Sequence, residues 1–115
     1  MAASGRRFPL ARADILVGRY DPASPPFPDI DLSGDDPNRT VSRHHARFLL
    51  RGGQYLLRLE DDARNPGEMD GAPLVTGVLI ALKDGDRFSL GRVELQFLSE
   101  DPNPARPTVQ LGGLL

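Results

Sequence analysis

The stretch "ARFLLRGGQYLLRLED" (Ala46–Asp61) holds two apolar runs separated by Gly52-Gly53. Two glycines between alternating apolar segments are a strong hairpin signal, because both central positions of such a turn need a positive φ. The pattern continues downstream. "PLVTGVLIALKDGDRFSLGRVELQFLSE" (residues 73–100) has turns at Asp84-Gly85 and near Gly91-Arg92, and Val93, Leu95 and Phe97 alternate with Glu94, Gln96 and Leu98 as on a half-buried strand. Leu79–Leu82 admits a reading as one helical turn, but nothing extends it. Upstream, "FPLARADILVGR" (residues 8–19) carries the apolar centre Ile15-Leu16-Val17, closed by Gly18-Arg19. A proline-studded loop, "YDPASPPFP", follows, and then "DIDL", which alternates as an exposed strand does. Short strands at regular spacing with glycine turns imply an all-β domain, a sandwich or barrel of antiparallel sheets.

The chain has 115 residues, with Gly 12 and Pro 11, a composition that favours turns over long helices. This is the size of one domain with one core. The expected division is a leader or linker over residues 1–7, the domain over 8–100 and a flexible tail over 101–115, where "DPNPARPTVQLGGLL" loses alternation. The net charge of −2 provides no global basic field for nucleic acid, so any anion site must be local. With Cys 0, disulfides and thiolate chemistry are excluded. No apolar run reaches the length of a membrane span and no secretory leader is evident, so a soluble cytoplasmic domain without membrane insertion is expected.

One acidic loop imitates a calcium site. Asp29, Asp31, Ser33, Gly34 and Asp35 follow the first half of an EF-hand loop, but Thr40 occupies the position of the bidentate glutamate and prolines block the entering helix. A solvated acidic loop is the better reading.

Chemistry concentrates in "TVSRHHARF" (Thr40–Phe48). His44 and His45 are adjacent, so on extended backbone they point to opposite faces and cannot share a metal. Ser42 with His45 has no evident orienting acid or oxyanion hole for nucleophilic catalysis. An anion cradle is better supplied: Ser42 offers a hydroxyl, Arg43 and Arg47 offer guanidinium groups, and Arg19 joins them if its strand end lies beside the Ser42 turn. Gly18 reads as a position that tolerates backbone conformations closed to other residues.

Gly18-Arg19, Ser42-Arg43-His44-His45-Ala46, Asn65 in "ARNPGEMDG" and "LKDGDRFSLG" occur in this order, and the set resembles the forkhead-associated (FHA) domain over roughly residues 8–99. The family pattern is G-R, S-R-x-H-A, N-G-T-x-x-x-G and L-x-x-G-D-x-x-x-x-G. The resemblance implies a β-sandwich of two antiparallel sheets with binding loops at one end. It also implies an interaction module for phosphothreonine peptides, not an enzyme, with no cofactor and a Ser/Thr kinase upstream. By position, Arg19 and Ser42 would hold the phosphate, Arg43 would assist, and Asn65 would bond the peptide backbone with Arg64 facing the site. His45 would brace the loop, and Gly18 and Gly71 would support it. N-G-T is replaced here by Asn65-Pro66-Gly67, so the family threonine is absent. A further expectation concerns the tail: phosphorylated Thr108, with Leu111 three residues on, would occupy the Arg19/Ser42 site in its own chain or a second copy.

Overall fold

The computed structural model describes residues 6–99 and 107–112. Eleven strands are assigned there. They are β1 (Arg7–Pro9), β2 (Asp14–Gly18), β3 (Ile30–Asp31), β4 (Ala46–Arg51), β5 (Gln54–Leu59), β6 (Glu68–Met69), β7 (Ala72–Pro73), β8 (Leu79–Ala81), β9 (Arg87–Leu90), β10 (Val93–Leu98) and β11 (Thr108–Leu111). Ser33–Asp35 form the single helical turn, of 3-10 type, among the described residues. No helix there is long and apolar enough to cross a membrane.

The strands form two sheets, ordered β1-β11-β10-β9-β6-β7 and β3-β2-β4-β5-β8. The Ala46–Asp61 stretch is the β4–β5 hairpin, and Gly52 and Gly53 take φ of 59° and 79°, the left-handed pair that a two-residue hairpin turn requires. Asp70 and Gly71 repeat this device between β6 and β7, with φ of 56° and 78°. Inward positions of the two sheets interdigitate. Phe48 of β4 meets Phe88 of β9 edge-on at 6.1 Å between ring centres, and Tyr55 of β5 meets Phe97 of β10 at 6.4 Å. Val93, Leu95 and Phe97 are buried while Glu94 is exposed, as their alternation requires.

The two-sheet all-β sandwich is as expected, and three details refine it. First, β2 and β3 pair in parallel (Val17 opposite Ile30, Gly18 opposite Asp31), so the five-stranded sheet is mixed at one edge. The loop after Gly18 doubles back until Asp29, whose N–H donates to Leu16 O and whose carboxylate accepts the Leu16 N–H, restarts the chain beside β2. Second, of the two readings that Leu79–Leu82 admitted, the strand pattern holds: Leu79–Ala81 form an edge strand against β5.

Third, both domain boundaries move outward. Arg7, assigned to a leader, belongs to β1, and Thr108–Leu111, assigned to a flexible tail, form β11 between β1 and β10. Val109 and Leu111 lie in the core, and the Leu10 N–H donates to Pro107 O. Four alternating residues suffice for a strand when two neighbours complete the ladder, a partner choice that local composition does not reveal. Thr108, paired with Pro9 and Leu98, is held in this sheet and is not part of a free tail that could carry a phosphate to the Arg19/Ser42 site of its own chain or a second copy. The remaining leader and tail assignments, residues 1–5, 101–106 and 113–115, lie outside the described residues.

Candidate functional site

The site is assembled where β2 ends and β4 begins. Gly18 shows no positive φ; the reason for glycine is space. A Cβ there would overlap the Arg43 carbonyl and press on that of Ser42, so only glycine lets the Ser42–Arg43 backbone lie against the strand end. The Arg19 N–H then donates to Ser42 O at 3.1 Å, which brings the two residues together. Arg19 Nε donates to Val41 O at 3.3 Å, and its two terminal nitrogens have no partner among the described residues.

The Ser42 turn is braced from beneath by His45, which is fully buried. Nδ1 of His45 accepts the Ser42 N–H at 2.9 Å, so the proton belongs on Nε2, which faces Pro66 O at 3.3 Å. Burial pushes the imidazole below its ordinary value of 6.5, outweighing the Pro66 carbonyl and the Asp36 charge, and the ring is neutral. Ser42 Oγ accepts the Arg64 N–H at 3.1 Å, which leaves its own O–H free to donate outward. Asn65 Nδ2 donates to Thr40 O at 3.2 Å, and its backbone carbonyl accepts the Gly91 N–H, while Oδ1 has no partner among the described residues.

Four predicted residues, Arg19, Ser42, Arg64 and Asn65, therefore cluster on loops tied to one another. Arg43 is placed differently. Its guanidinium donates to Ser24 Oγ at 2.8 Å and Asp21 Oδ2 at 3.3 Å, fastening the proline loop to the turn. His44 fastens the same loop, with Nε2 within 2.9 Å of Pro26 O and Nδ1 within 3.2 Å of Asp62. Arg47, considered as an anion ligand, is spent on Asp14 and Glu60 at 2.8 and 3.1 Å; these contacts, chiefly the bond to Asp14, raise its pKa further. Gly71 sits in the β6–β7 turn with open space around it, so its role is conformational. The acidic loop is only partly solvated: Asp31 accepts N–H groups from Tyr20 and Ser33, and although burial alone would raise its carboxyl, these bonds bring it below the usual range.

Sequence reasoning missed Asp36 and Thr40. The buried Asp36 carboxylate accepts Thr40 N–H at 3.0 Å, Thr40 O–H at 2.8 Å and Val41 N–H at 2.7 Å. Thr40 Oγ1 in turn accepts the Arg92 N–H at 2.8 Å. Gly91 and Gly67 lie against Thr40 and the Ser89 carbonyl, so close that a Cβ at either would clash. A signal existed in "DDPNRT", an acid before proline and then threonine, which is a side-chain-capped turn.

The FHA domain family model matches residues 15–91. The chain belongs to the FHA family. Glycogen accumulation regulator GarA of Mycolicibacterium smegmatis is 32% identical over 96 residues, covering 84% of this chain and 52% of GarA, so the chain spans about half of that relative. Among solved structures, one from a structural and functional analysis of phosphothreonine-dependent FHA domain interactions superposes with a TM-score of 0.61 at 22% identity, covering 98% of this chain and 95% of that one. The N-terminal FHA domain of S. cerevisiae Rad53p, in complex with a phosphothreonine peptide, gives 0.52 at 17% identity over 89% and 71%. At these identities the structures share the FHA β-sandwich fold with this chain.

Proposed function

We propose that this domain is a phosphothreonine-dependent protein-interaction module and not an enzyme. The observation that carries the reading is the Arg19 N–H···O Ser42 bond, which sets a guanidinium with two unpartnered terminal nitrogens, among the described residues, beside a hydroxyl free to donate. A phosphothreonine brings nearly two negative charges and three strong acceptor oxygens. Arg19 and Ser42 supply matched donors, each charged hydrogen bond contributing about 1.5–3 kcal/mol. Asn65 Oδ1 is available for a peptide N–H, and the exposed Arg64 flanks it. Arg43 assists by holding the loop, with further N–H groups open to the phosphate. Rigid loops lower the ordering cost, so a few such bonds reach micromolar affinity, about 8 kcal/mol. A cytoplasmic Ser/Thr kinase would supply the ligand.

A second reading, phosphate-independent assembly, draws on Val75, Val78 and Leu79, which are 58%, 48% and 45% exposed along the β8 edge. Calorimetry with a phosphothreonine peptide and its unphosphorylated twin separates the two. Binding of the first alone supports the proposal; equal binding of both supports the second reading.

A further inference from the structure

Beside Arg19 lies a depression lined by Arg19, Tyr20, Ser33, Asp36, Pro37 and Arg39. Asp36 is buried and its carboxylate is consumed by Thr40 and Val41, so it presents little acceptor capacity to the surface. Arg39 is exposed, and its guanidinium has no hydrogen-bond or ion-pair partner among the described residues. Its backbone is held at φ 53°, in the left-handed region that side-chain-bearing residues rarely adopt, by the bond from its N–H to Asp36 O. Glycine or asparagine would meet this conformation at lower cost, so an arginine here stands against a backbone preference. On the other wall, Tyr20 pairs with Phe27 at 5.3 Å between ring centres, both rings about half exposed, on the loop that Arg43 and His44 fasten down. The Tyr20 ring, the unpartnered terminal nitrogens of Arg19 and the Arg39 guanidinium thus share one hollow.

We propose that Arg39 is a second anion contact, selecting a phosphothreonine ligand that carries an anionic side chain, a carboxylate or a second phosphate, beside the phosphothreonine. This rests on the phosphothreonine reading of Arg19 and Ser42. Arg19 meets the obligatory phosphate, and Arg39, across the hollow, meets the neighbouring charge. Tyr20 and Phe27 flank the connecting peptide.

The test is fluorescence anisotropy with phosphothreonine peptides, alanine at every flanking position, then glutamate, phosphoserine or lysine placed singly at each. Wild type is compared with Arg39→Gly, which suits the positive φ and preserves the fold, and with Arg39→Glu. At one position glutamate should tighten wild-type binding about threefold to fivefold, the size of one exposed ion pair, and phosphoserine more. That preference should vanish in Arg39→Gly and turn toward lysine in Arg39→Glu, while the all-alanine phosphothreonine peptide binds wild type and Arg39→Gly alike. No anionic preference at any position in wild type, or one that survives Arg39→Gly, overturns the assignment to Arg39 and leaves Arg19 and Ser42 standing. If no phosphothreonine peptide outbinds its unphosphorylated twin, both readings fall.

Discussion

At the scale of single residues, the site divides into groups that face outward and groups that hold them. Arg19→Ala removes the charged donor and, of the bonds within the fold, only the long one from Nε to Val41 O. It should cost about 2–4 kcal/mol of phosphopeptide binding at an unchanged melting temperature, as titration calorimetry and thermal unfolding together would show. Ser42→Ala removes a neutral donor and should cost less. His45 behaves oppositely. Its ring accepts the Ser42 N–H and is neutral in the fold, so protonation favours the unfolded chain. A folded value held below 6.5 means the unfolded state binds more protons at mildly acid pH. Stability is therefore fully present above about 6.5 and declines as the pH falls toward the folded value. Thermal unfolding between pH 8 and 5 should show this loss in wild type and much less of it in His45→Asn, which keeps an acceptor near Nδ1 without a titrating ring.

At the scale of elements, the binding end depends on close backbone approaches more than on strand pairing. Gly18→Ala would force β2 away from the Ser42–Arg43 backbone and break the Arg19 N–H bond to Ser42 O. We expect a stability loss of about 1–3 kcal/mol, the usual cost of overpacking, with weakened phosphopeptide binding. An intact affinity in Gly18→Ala would show that the approach does not position Arg19. This level also shows what a sequence can reveal. The β4–β5 hairpin and the alternation of β10 were legible because their signals are local: two glycines in one case, a period of two in the other. The convergence of Arg19 with Ser42 was not, since it joins elements through a Cβ-free contact that no periodicity records. Asp36 was missed for a related reason. An aspartate that caps its neighbours looks, in a string of acids, like one more solvated charge.

For the whole molecule, closure of the six-stranded sheet depends on β11, which composition had marked as tail. Removing residues 107–115 would expose what Val109 and Leu111 cover and strip β1 of its only strand partner among the described residues. Each buried aliphatic side chain contributes about 1.5–3 kcal/mol, so the truncated chain should lose at least about 3 kcal/mol in denaturant titration, a large share of a domain's total. A truncated chain with wild-type stability would return these residues to the role of a tail. The family resemblance, resting on loops at the other elements, could not register this strand.

The pairing of Phe8 with Val109 has a consequence in time. β1 leaves the ribosome among the first residues of this segment and β11 among the last, so at about 5–20 residues per second several seconds to tens of seconds separate them. Through that interval Phe8 and Leu10 wait without the strand that covers them. The order of synthesis thus makes the sheet edge the last part of the domain to form, and its early apolar residues are those a chaperone would meet first.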